Sequence, residues 1–149
     1  MGLKLEHLLV PIDFGESSQE ALDAAVELSL KLGARLTLMH VYEIPAYVYS
    51  GMTFATADLF APIEEAARTH LDETLAKAKE RVPEARGVLR RGVPAQEIMA
   101  VIEQAHPDLV VMGTHGRQGV SRVLLGSVAE RVIRLSTVPV LTVRGARRG

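Results

Sequence analysis

The chain contains no cysteine, no tryptophan and no asparagine. Without thiols it can build neither a disulfide framework nor a thiolate metal centre. Neither sign of charge is in excess: 17 Lys and Arg stand against 18 Asp and Glu, for a net charge of −1. No global field therefore draws nucleic acid or an anionic membrane surface. No apolar run approaches the ~20 residues that cross a bilayer. Met1–Glu6 leads straight into a strand-like run rather than a secretory leader. Neither nucleic acid nor membrane is expected as a partner, and the expected location is the cytoplasm. Catalytic signatures are scarce as well. There is no G-x-x-x-x-G-K-[ST] phosphate loop and no kinase catalytic loop. The histidines His7, His40, His70 and His106 lack metal-ligand spacing.

What remains is an ordinary globular composition. The chain has 149 residues and is 48% hydrophobic, which suits one domain over residues 1–149. Leu8–Ile12 is a short apolar run that predicts a first strand. Ser17-Ser18-Gln19-Glu20 has the capping-box pattern, so a helix is expected from Ser18. Its inner face would carry Leu22, Ala25, Val26, Ser29 and Leu32, and Gly33 would end it in a left-handed cap. Arg35–Tyr42 is the second strand, with His40 alternating inward alongside Leu38 as a core residue. Ile44–Ala61 has no clean period but holds four of the six aromatics, Tyr47, Tyr49, Phe54 and Phe60, so it is expected to be a lid, a contact surface or a loop covering the sheet edge. A second helix is expected near Pro62, striped by Ile63, Ala67, Leu71, Leu75, Ala78 and Val82. Gly87–Arg91 is a third strand. A helix from Gly92-Val93-Pro94 follows, with Ala95, Ile98, Met99 and Ile102 inward. Leu109–Met112 is a continuous apolar run, as a parallel strand covered on both faces requires. Val128, Val132 and Leu135 line a last helix, and Val138–Val143 is the fifth strand.

Five strands alternating with four helices define an α/β fold, an open doubly wound parallel sheet. Pro139 cannot donate to a ladder, which places the fifth strand at an edge. Its two faces are both apolar, so a homodimer through Val138–Val143 is expected.

The most informative stretch is Gly113–Ser127. Four glycines (Gly113, Gly116, Gly119 and Gly126) stand there between a strand and a helix, with Arg117 and Arg122. Backbone amides at such a helix start can cradle phosphate. Gly113 is expected to keep the crevice open, Gly126 to let phosphate approach, and Ser127 and Val128 to offer their amides. Arg117 could neutralise phosphate charge. Ser127-Val128-Ala129-Glu130 is also a capping box, so the Ser127 hydroxyl has a competing task. In open sheets ligands sit beyond the strand carboxyl ends where the strand order reverses, so Asp13 should face this loop across one crevice.

Gly113-x2-Gly116-x9-Gly126-Ser127 resembles the nucleotide-binding pattern of the universal stress protein family, and Thr114 stands where serine is common. Val10-Pro11-Ile12-Asp13, Leu38-Met39-His40-Val41 and Val138-Pro139-Val140-Leu141 extend the resemblance over nearly the whole chain. It implies a Rossmann-like sheet of order 3-2-1-4-5, dimerisation through strand five and ATP, or another adenine nucleotide, as ligand with or without Mg²⁺. Carried over, Asp13 would contact the ribose and the Val41 backbone would read the adenine edge. Pro11 and Ile12 would wall the base. Gly113, Gly116, Gly126 and Ser127 would hold the phosphates; Thr114, His115 and Arg117 in the same loop and Val128 at the helix start are the further candidates, His115 having solvent as its alternative. The expected function is an ATP-binding regulatory protein of the stress response, with a protein partner the sequence does not name. A nucleotide-using enzyme (at most a slow ATPase) and a pure interaction module are the alternatives. Asp13, Glu16 and His115 are the nearby bases an enzyme could use.

Overall fold

A computed structural model describes residues 2–44, 56–115 and 125–144. The expectations for Tyr47, Tyr49, Phe54, Gly116, Arg117, Gly119 and Arg122 fall outside the described residues. Five parallel strands form one sheet: β1 (His7–Pro11), β2 (Arg35–Tyr42), β3 (Arg86–Arg91), β4 (Leu109–Gly113) and β5 (Val140–Val143). Among the described residues four helices connect them: α1 (Glu16–Leu32), α2 (Thr56–Lys79), α3 (Pro94–Ala105) and α4 (Ser127–Leu135). The strand order is β3-β2-β1-β4-β5, as expected.

Alternation along β1 divides the core into two layers. Leu8 and Val10 face α1 and α2, where Ala21, Leu22, Ala25 and Leu71 pack against Leu36 and Leu38 of β2. Leu9 faces the opposite side, where Ile98 and Ile102 of α3 and Ala129 and Val132 of α4 close on Met39, Val110 and Met112. At the amino-terminal end, Asp108 Oδ2 accepts the backbone N–H groups of Glu6 and His7, each at 2.9 Å. The Asp108 N–H in turn donates to His7 O at 2.8 Å, joining β1 to the start of β4. The buried His7 ring contacts Thr37 Oγ1 through Nε2 at 2.8 Å. Burial, reinforced by the nearby Arg35 charge, holds the His7 pKa below its usual value.

The reversal of strand order lies between β1 and β4. These two strands pair at Leu8–Leu109 and Leu9–Val110. β1 then follows β2 up to Ile12, whose N–H donates to Met39 O at 2.8 Å.

Several local expectations require correction. α1 begins at Glu16 with Gly15 as its N-cap and no side-chain cap: Ser17 Oγ accepts the His115 N–H, and the Ser18 hydroxyl lies between the Asp13 carboxylate and the Gly15 carbonyl. Leu32 is 48% exposed; the helix has rotated its last apolar residue off the sheet before Gly33 closes it at φ 66°. α2 starts at Thr56 and contains Pro62, so Thr56–Ala61 is helix rather than open loop. Arg91 anchors this early turn, its guanidinium 5.8 Å from the Phe60 ring centroid. Leu135 is 50% exposed, and Ala129 takes the inward place beside Val132. β5 begins at Val140; Pro139 precedes it and accepts the Val110 N–H through its carbonyl at 3.0 Å.

Candidate functional site

The carboxyl ends of β1, β2 and β4 surround a cavity of ≈ 500 Å³. Small-molecule sites commonly occupy roughly 300–1,000 Å³. One wall comes from the chain leaving β1, Pro11, Ile12 and Asp13, and a second from the end of β2 around Val41. The third carries Gly113 and His115 after β4 and Gly126, Ser127 and Val128 at the start of α4. Nine of the twelve residues singled out from the sequence thus line one space. Gly116 and Arg117 lie outside the described residues.

Thr114 is brought close but does not line the cavity. It is 6% exposed, and its carbonyl accepts the Gly126 N–H, so it ties the strand end to the helix start. Its hydroxyl lies 2.9 Å from His115 Nδ1. The His115 N–H donates to Ser17 Oγ at 3.2 Å, which fastens the start of this segment to α1.

Gly113 has a reason beyond the one expected. A Cβ there would lie 2.6 Å from both the carbonyl carbon and the carbonyl oxygen of Ser17. The missing side chain admits the first turn of α1, in addition to bordering the cavity. At the other side, α4 has Gly126 as its N-cap with no side-chain cap bond. Ser127 is therefore the first helical residue and exposed, and the expected capping box does not form. The amides of this first turn have no intrahelical acceptor, and the positive end of the helix dipole lies at the cavity.

Asp13 is held from one side. Its Oδ1 accepts the Gly15 N–H and contacts the Ser18 hydroxyl, each at 2.9 Å, while the Asp13 N–H donates to Ser18 Oγ at 3.2 Å. The second carboxylate oxygen accepts nothing from the described residues, and Asp13 is among the residues that line the cavity. Ser18 is the residue that sequence reasoning missed here. The capping-box pattern of Ser17 and Glu20 marked it only as the helix start, whereas its buried hydroxyl serves the carboxylate. His40 is likewise more than a core residue: it lines the cavity, half-buried, and its Nδ1 donates to Ile12 O at 2.8 Å. The acceptor is a carbonyl, so Nδ1 carries the proton. Met39, Ile98 and Met112 give the cavity an apolar floor. Their only signal in the sequence was their place at strand ends and on the inner face of α3. Among the described residues, no group of three or more His, Asp or Glu could hold a metal ion.

The fold and the cavity define a doubly wound α/β domain with a cavity at its topological switch point, where ligands sit in open sheets of this kind. The Universal stress protein family profile matches residues 4–144, and the chain belongs to that family. It is 33% identical over 146 residues to the universal stress protein MJ0531 of Methanocaldococcus jannaschii, covering 95% of this chain and 83% of that one. Among solved structures, MJ0577 from the same organism superposes with a TM-score of 0.80 at 24% identity, covering 97% of this chain and 99% of the other. A universal stress protein solved in complex with cAMP matches with a TM-score of 0.65 at 23% identity, covering 94% and 97%. An Arabidopsis thaliana family member solved with AMP bound matches with a TM-score of 0.68 at 17% identity, covering 95% and 92%. At these identities the structural likeness establishes the fold. No helix among the described residues is long and apolar enough to cross a membrane.

Proposed function

We propose that this chain is an adenine-nucleotide-binding protein of the stress response that holds ATP as a homodimer, with slow hydrolysis or none. One observation carries the reading. Across a single cavity, an Asp13 carboxylate with an available oxygen faces the uncapped first turn of α4 at Gly126, Ser127 and Val128. A carboxylate suits ribose hydroxyls, and a helix start suits phosphates. The apolar floor, with Pro11, Ile12 and the Val41 backbone above it, suits a purine. His115 and the Gly113 backbone border the phosphate side, with Thr114 fixing the base of that wall and Gly116 and Arg117 next along the chain. The cAMP and AMP complexes of related proteins support an adenine nucleotide as the ligand class.

In this reading Mg²⁺ accompanies the triphosphate without a dedicated cage. The edge strand β5 supplies the dimer contact, its Leu141 being 41% exposed. Calorimetry with ATP tests the site: Gly126→Val and Ser127→Asp should each abolish binding while thermal unfolding stays near wild type. Unchanged affinity in both would remove the helix start from the site. Rapid multiple turnover with Mg²⁺, lost in Asp13→Ala, would assign a nucleotide-using enzyme instead.

A further inference from the structure

Phe14 has a left-handed backbone, with φ 65°. Among the described residues, His106 is the other non-glycine residue with positive φ, and it caps α3, where that geometry is routine. Phe14 caps no helix. A bulky side chain is disfavoured in this region because its Cβ crowds the following carbonyl. The neighbours give the conformation a purpose. Asp13 faces the cavity, and the N–H of Gly15 returns to Asp13 Oδ1 at 2.9 Å. The reversal at Phe14 is what brings that N–H back.

The ring of Phe14 is held on two sides. It stacks on His70 of α2 with centroids 3.8 Å apart and planes at 12°. It lies tilted against His40 of β2 at 4.3 Å. His40 lines the cavity, whereas His70 lies on the exposed side of α2. Three rings therefore run from the cavity wall, through the Asp13 turn, to the outer face of a helix.

We propose that Phe14 is a positioning residue of the nucleotide site: its left-handed turn sets the Asp13 carboxylate, and the His40–Phe14–His70 stack holds that turn and couples it to α2. The inference rests on the nucleotide reading above. Ring contacts on both sides offset the cost of the backbone conformation. The coupling is reciprocal by linkage. Whatever draws His70 off the ring weakens the nucleotide site, and a nucleotide that fixes Asp13 strengthens the hold on His70.

The test uses Phe14→Ala, Phe14→Gly, His70→Ala and the Phe14→Gly/His70→Ala double variant of the full chain. Phe14→Ala removes the ring and keeps a Cβ, so ATP affinity should fall about tenfold. Glycine enters the left-handed region freely, so Phe14→Gly should stay within about threefold of wild type despite losing the same ring. His70→Ala should weaken ATP about fivefold in the wild-type background and have no effect beside Phe14→Gly. A second readout needs no nucleotide: the Gly15 amide resonance reports the bond to Asp13 Oδ1. It should move, and exchange faster with solvent, in Phe14→Ala and His70→Ala. An unmoved Gly15 amide in Phe14→Ala overturns the inference. So does equal weakening by His70→Ala in both backgrounds, which would make the ring mere packing. If the Gly15 amide responds but the wild type takes up no ATP, the nucleotide reading fails and the ring-held turn stands.

Discussion

Replacing Gly113 by alanine should be strongly damaging, and its magnitude follows from one distance. The new Cβ would lie 2.6 Å from the Ser17 carbonyl carbon and oxygen. Carbon atoms pack best at about 3.5–4.0 Å, so helix and strand must separate by roughly 1 Å. Ser17 contributes backbone at the first turn of α1, which cannot swing aside as a side-chain tip would. Overpacking of this kind costs about 2–3 kcal/mol. For a chain of this length that corresponds to roughly 4–12 °C in melting temperature. The displacement would also carry Ser18 off the Asp13 carboxylate, so nucleotide affinity should fall with stability. Gly87→Ala is the matched control. Its Cβ meets Leu75 Cδ2 at 3.1 Å and Leu71 Cδ2 at 3.6 Å, both flexible side-chain ends. That variant should stay within about 0.5 kcal/mol of wild type, the small loss of contact room being countered by the stiffer unfolded chain. Urea unfolding of both variants, with ATP calorimetry alongside, decides the matter. Equal stabilities for the two alanine variants would refute the close-approach account of Gly113.

Three further outcomes are expected. Asp108→Ala removes the acceptor for the Glu6 and His7 amides, at a cost of about 2 kcal/mol in urea unfolding; Asp108→Asn, which keeps an acceptor, should lose less. The lowered pKa of His7 means the unfolded chain binds a proton more readily than the folded one. This stabilisation is complete above the ordinary histidine pKa of 6.5 and declines as pH falls below it. Unfolding free energies at pH 7.5 and 5.0 should therefore differ more for the wild type than for His7→Gln. On the proposed dimer, the wild type should sediment as a dimer at micromolar concentration, and Leu141→Lys, which places a charge on the exposed edge strand, should sediment as a monomer.

The sheet was legible because parallel strands covered on both faces must be apolar without interruption. Leu8–Val10 and Leu109–Met112 meet that requirement, and the glycine left-handed stop at Gly33 ends α1 where a Cβ would be strained. The site was legible in its strand-end residues for the same topological reason. Misreadings cluster where one residue could serve two masters. Ser17 fits a capping box, but its hydroxyl accepts the His115 N–H, and the neighbouring Ser18, read only as the helix start, is buried with its hydroxyl on the Asp13 carboxylate. Ser127 fits a second capping box, yet Gly126 supplies the extended N-cap and Ser127 enters the helix. Pro62 reads as a helix start because it lacks an N–H, but local propensity carries no information about the Arg91 contact that holds Phe60 in the preceding turn. The left-handed Phe14 was invisible for a similar reason: both rings that hold it arrive from distant segments.

The central place of β1 has a consequence for how the chain is made. β2 follows β1 closely in sequence, whereas the contact from Asp108 to Glu6 spans 102 residues. During synthesis β1, β2 and β3 can assemble early, but the second edge of β1 has no partner until β4 emerges. For that interval a fully apolar strand, Leu8–Val10, offers unpaired backbone groups to any neighbouring nascent chain. Pairing so distant also makes folding slow relative to stability. A chain stopped before Asp108 is therefore expected to aggregate rather than to persist as a smaller soluble sheet.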